Sequence, residues 1–119
     1  MTLEECYNTM NGNYEEALRR LMNDSLIQRF LNKFLEDKSF DNLCAAIDAK
    51  DYEQAFHEAH TLKGVSQNMS FTGLSDAVSS LTEELRGGTY TDAVPGYFEE
   101  TKKQYSIVKE TISEYHSSL

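Results

Sequence analysis

His60, Lys63 and Gly64 are the residues of this chain whose types and spacing point to chemistry. They lie in the run His60-Thr61-Leu62-Lys63-Gly64, within a stretch that otherwise reads as an amphipathic helix. An imidazole is a nucleophile, and a lysine three residues further along a helix stands near it. Gly64 runs against helical propensity, since an interior glycine costs roughly 0.5–1 kcal/mol relative to alanine. A missing side chain one turn after a histidine implies that something uses the space. A nucleophile, a cation and a cleared space suit a group that becomes a dianion, such as a transferred phosphoryl.

Rotation by about 100° per residue shows how one helix would place these groups. The apolar face of the segment centres near Ala59 and Ser66, and His60 falls on the flank that faces water. Gln67, two turns on, lies almost in line with it. Lys63 sits on the core side of that line and Gly64 on the outer side. Phe56, one turn earlier, lies between the core and the exposed flank. His57 turns further toward solvent and reads as a surface residue, and His116 in the last turn has no evident partner. His57 and His60 lack a metal-ligand set, since only Glu53 and Glu58 stand nearby. The acidic pairs Glu83-Glu84 and Glu99-Glu100 read as solvated faces, and the seven tyrosines mostly as core or boundary residues.

Helices must do the positioning, because the chain has one proline, Pro95, and few β-branched runs. Thr2 with Glu5 and Asn13 with Glu16 fit the capping-box spacing and open two short helices. The second of these carries Ala17, Leu18, Leu21 and Met22. Asp24 or Ser25 is expected to cap the next, whose stripe is Ile27, Phe30, Leu31 and Phe34. A brief helix follows with Phe40, Leu43, Cys44 and Ile47. Asp51, with Gln54 three residues on, should open the long helix that holds His60. Tyr52, Ala55, Phe56, Ala59, Leu62 and Met69 form its inner face, and Ser70-Phe71-Thr72-Gly73 breaks it. Leu74, Ala77 or Val78, Leu81 and Leu85 then repeat at helical spacing until Gly87-Gly88. A last helix starts between Thr91 and Pro95 with the stripe Phe98, Thr101, Tyr105, Val108, Ile112 and Tyr115. Four long helices with one stripe each predict an all-α, antiparallel four-helix bundle. The short N-terminal helices are expected to cover one end, and Phe30 and Phe56 to join its core.

Bulk properties narrow the function classes. At 119 residues the chain has the length of one domain, 1–119, and needs no metal or disulfide staple. Twenty acidic against 11 basic residues leave a net charge of −9, which opposes binding to nucleic acid or to an anionic membrane. No apolar stretch approaches a membrane span, and Met1-Thr2-Leu3-Glu4-Glu5 does not read as a signal peptide. Cys6 and Cys44 stand far apart without further ligands. A reduced, cytoplasmic protein is expected. No glycine-rich phosphate loop or nucleotide-binding pattern is present, so ATP is not an expected ligand.

The run His60-Thr61-Leu62-Lys63-Gly64 resembles the H-x-L-K-G signature of histidine-containing phosphotransfer (HPt) domains. Ala59 before it, Asn68 and Met69 after it, and Leu74, Leu81 and Leu85 in the next helix extend the likeness, which is specific from Phe56 to Leu85. At Ser70 the family often has glycine, a departure that bears on the helix end and not on phosphoryl chemistry. The family fold is a four-helix bundle. The resemblance implies that His60 accepts a phosphoryl group from the aspartate of a response-regulator receiver domain, or of a hybrid histidine kinase, and returns it to a second receiver. Lys63 would attract the phosphoryl oxygens, Gly64 would leave room for the group and the docking receiver, and Gln67 would hydrogen-bond nearby. Phe56 and Gln67 are candidate docking residues. The chain itself would bind no cofactor, because the receiver supplies Mg²⁺.

Two other functions fit parts of the pattern. One is a bundle that docks receivers without chemistry, for which the imidazole would be superfluous. The other is the phosphotransfer segment of a chemotaxis-type histidine kinase, to which Phe71-Thr72 before Leu74 is similar. A chain running from Met1 to Leu119 holds no kinase domain, so that donor would act in trans.

Overall fold

Four of the seven helix starts in this protein coincide with side chains that accept from free backbone N–H groups. The computed structural model describes residues 1–119. It contains α1 (Leu3–Thr9), α2 (Tyr14–Leu21), α3 (Asp24–Glu36), α4 (Ser39–Asp48), α5 (Tyr52–Asn68), α6 (Thr72–Leu85) and α7 (Val94–Ser117). A short 3-10 turn spans Arg86–Gly88, and there are no strands. Before α1 the capping box is complete: Glu5 N–H donates to Thr2 Oγ1 at 3.1 Å and Thr2 N–H to Glu5 Oε1 at 3.0 Å. Asn13 caps α2 through Glu16 N–H, but the Glu16 carboxylate accepts from Arg20 and Ser70 instead of closing the box. Asp51 Oδ1 accepts from Gln54 N–H at 3.1 Å and starts α5.

Two expectations fail at the α2–α3 junction. The cap of α3 is Asn23, whose Oδ1 accepts from Leu26 N–H at 2.9 Å, rather than Asp24 or Ser25. Met22 does not extend the apolar stripe of α2. It takes a positive φ of 79° as the chain reverses toward Asn23 and is 77% exposed. The turn, not hydrophobicity, sets its position.

The bundle is all-α and four-helical, with the short helices added at its N-terminal side. Here α5 packs between α4 and α6, and α7 packs on α6. The helix lying along α5 is therefore the short α4, not α3. The chain breaks at Asp37, which accepts from both the amide and the hydroxyl of Ser39. Upstream of that break, α3 sends Ile27, Leu31 and Phe34 into the shared core and ties Gln28 Nε2 to the Tyr115 hydroxyl at 2.8 Å. With 24 residues, α7 spans about 36 Å at 1.5 Å per residue, close to the 41 Å long axis of the molecule. Pro95 stands in its first turn.

Leu74, Leu81, Leu85, Val108 and Ile112 are fully buried, and Ala59, Leu62 and Tyr105 join them. Phe30 and Phe56 correct the expected core: both are half-buried at its edge. Tyr7, Met10 and Phe71 are fully buried instead. Phe71 meets the Phe34 ring edge-on at 5.0 Å, and the Tyr7 hydroxyl donates to Met69 O at 2.9 Å. That bond lets a phenol occupy the interior without an unpaired polar atom. Tyr90 and Tyr97 depart from the expected tyrosine pattern, at 48% and 39% exposed.

The link between α5 and α6 is tightly held. Ser70 adopts φ 58°, a left-handed conformation that favours glycine. Its hydroxyl offsets the strain, donating to Glu16 Oε1 and accepting from Arg20 Nη1, both at 2.9 Å. Arg20 also donates to the carbonyls of Gln67, which accepts from Ser70 N–H as well, and Asn68 at the end of α5. The N-terminal helices thus cover the α5–α6 end of the bundle. Helix α6 begins already at Thr72, so Thr72 and Gly73 belong to it and not to the break. At the other end, Gly87 and Gly88 take φ 76° and 78° and release the chain toward α7.

Candidate functional site

Helix α5 buries Ala55, Ala59, Leu62 and Ser66 on one side, and the Ser66 hydroxyl donates back to Leu62 O at 2.7 Å. This inner face fixes what points outward. His60, His57 and Gln67 are exposed, while Phe56, Lys63 and Gly64 are half-buried. The Phe56 ring meets the His60 imidazole at 6.0 Å between centroids and 71° between planes. It meets the His57 ring at 5.6 Å and 61°. Phe56 therefore forms an apolar wall beside both imidazoles.

Gly64 faces open space: a Cβ built there would meet nothing within 4 Å. Gly87 and Gly96 are likewise open, whereas some other glycines are crowded. A Cβ at Gly12 would lie 2.9 Å from Tyr7 Cδ2 and 3.0 Å from Ser70 O, so packing alone explains that glycine. No packing within the chain explains Gly64.

Glu83, expected on a solvated face, and Arg86 also reach this region. The Arg86 guanidinium lies over the Phe56 ring at 5.3 Å. It donates Nη2 to Glu83 Oε1 at 2.7 Å and Nε to Oε2 at 3.3 Å. The hydrogen bond and charge of Arg86 hold the Glu83 carboxyl below its ordinary pKa, with a smaller pull from Lys63 in the same direction. A signal was available: with a three-residue link, antiparallel α6 must bring its last turn beside the first turns of α5. A cleft of about 310 Å³ lined by Glu53, Phe56, His57, Gly87 and Gly88 adjoins this corner.

No group of three or more His, Cys, Asp or Glu side chains is placed to hold a metal ion. His116 lies apart, half-buried at the end of α7 beside Tyr115. Cys6 is buried and Cys44 half-buried, both with free thiols. No helix is long and apolar enough to cross a membrane.

One helix of an all-α bundle thus displays His57 and His60 to solvent, with Lys63 and Gly64 half-buried on the same helix. The chain belongs to the Hpt domain family, whose pattern matches residues 25–109, from α3 into α7. No curated protein and no solved structure gives a significant match. Membership brings a phosphotransfer role, through a histidine, between partners of two-component signalling, receiver domains among them.

Proposed function

We propose that His60 is the phosphoryl carrier of a multistep phosphorelay and that residues 1–119 act as one Hpt domain. The observation that carries this reading is the exposed His60 imidazole next to unoccupied space at Gly64. The neutral imidazole attacks the phosphorus of a receiver aspartyl phosphate. A P–N bond forms as the acyl phosphate P–O bond breaks, and the aspartate leaves as a carboxylate. The reverse attack, by the aspartate of a second receiver, discharges the histidine. Lys63 neutralises part of the charge on the phosphoryl oxygens, and Gly64 admits both the group and the receiver surface. Phe56 and Gln67 contribute to docking. Mg²⁺ and the acidic pocket belong to the receiver. The chain has no autokinase activity of its own, and its free thiols accord with a cytoplasmic setting.

For the chemotaxis-type alternative, Phe71 fills the core and the exposed Thr72 is the first residue of α6. Incubation with ATP and Mg²⁺ alone should leave the protein unlabelled, whereas a phosphorylated receiver should give an acid-labile, base-stable label. His60→Gln should abolish the label and His57→Gln should keep it. Labelling from ATP alone, or a labelled His60→Gln protein, would contradict the reading.

A further inference from the structure

The Glu83–Arg86 pair is more than a surface ion pair, because of where it holds its cation. Arg86 is fixed in two ways: its face lies on Phe56, and its Nε and Nη2 both engage Glu83. The same Phe56 ring meets the His60 imidazole. A guanidinium is thus stationed one aromatic ring away from the group that carries the phosphoryl.

We infer that Glu83 is a positioning residue that restrains Arg86 and thereby sets how tightly the protein retains a phosphoryl group on His60. The inference rests on His60 being the phosphoryl carrier. Both partners are more than half exposed, at 55% and 61% of their side-chain surface, and such pairs are worth little net free energy in water. The pair can therefore open at small cost when a dianion appears nearby. Glu83 opposes that dianion in two ways. Its own charge repels the phosphoryl oxygens, and it occupies two of the five Arg86 N–H donors. The consequence is a carrier that accepts the group without trapping it. A relay needs that property, since it must give the phosphoryl away.

The test is the equilibrium position of transfer between a phosphorylated receiver and this protein. It would be measured for the parent, Glu83→Gln, Arg86→Gln and the double variant, with folding checked by circular dichroism. Glu83→Gln should shift the equilibrium toward phosphohistidine by roughly threefold to tenfold, the scale of one screened unit charge acting on a dianion. Arg86→Gln should shift it toward the receiver, and the double variant should return near the parent. Raising the salt to about 0.5 M should shrink both shifts. A folded Glu83→Gln variant with the parental equilibrium, or one displaced toward the receiver, overturns the inference. Failure of the parent to take up label is a separate result, and it removes His60 as carrier instead.

Discussion

Gly64 ties the chemistry to the helix that displays it. Alanine there meets no atom within 4 Å and gains helix propensity, so Gly64→Ala should stabilise the fold by up to ~1 kcal/mol. A longer side chain occupies the space beside His60. Gly64→Gln should therefore keep the stability of the parent while slowing transfer from a phosphorylated receiver at least several-fold. Thermal unfolding beside single-turnover transfer checks both parts. Parental transfer in the glutamine variant would refute the clearance argument, and lost stability in both variants would make Gly64 a packing residue. His60, Lys63 and Gly64 could be singled out from sequence because their signal is local: one turn of helix and one misplaced glycine. Arg86 could not be found that way. It reaches Phe56 through the packing of α6 on α5, so only the antiparallel pairing of the two helices points to it.

At the scale of elements, the end of α5 matters most, because it holds the site helix in register. Arg20 supplies donors to the Gln67 and Asn68 carbonyls and to the Ser70 hydroxyl. Arg20→Ala should destabilise the protein by about 1–3 kcal/mol, the range for losing hydrogen bonds to a charged donor. Urea unfolding with an unchanged m-value would show it. A loss below about 0.3 kcal/mol would mean that water replaces the guanidinium there. Helix number, order and inner faces were legible because capping residues and 3.6-residue stripes are properties of neighbouring positions. The Asn23 cap and the reversal at Met22 were not, since adjacent Asn, Asp and Ser offered three equivalent caps. Ser70 shows the same limit from another side. Its left-handed backbone is held by hydrogen bonds from α2, some fifty residues earlier, which no local pattern reveals.

For the whole molecule, the buried Cys6 and Tyr7 predict sensitivity to alkali. Burial pushes the Cys6 thiol from its ordinary 9.0 to about 11 and pushes the Tyr7 phenol upward as well. A raised folded pKa means that the unfolded chain loses its proton first. The stability due to Cys6 is therefore complete below pH 9 and declines as the pH rises toward 11. The unfolding midpoint should fall across that window, and Cys6→Ser should weaken the dependence. An unchanged pH profile in that variant would contradict the assignment.

The account as a whole depends on a phosphoryl group passing through His60. The most direct measurement charges this protein from a labelled phosphoreceiver, removes that receiver, and adds a second, unphosphorylated receiver. Neutral-pH mass spectrometry after the first step should place the phosphoryl on His60 and on neither His57 nor His116. The label should then move to the second receiver. A phosphoryl on another residue, or one that never leaves this protein, would contradict the central claim.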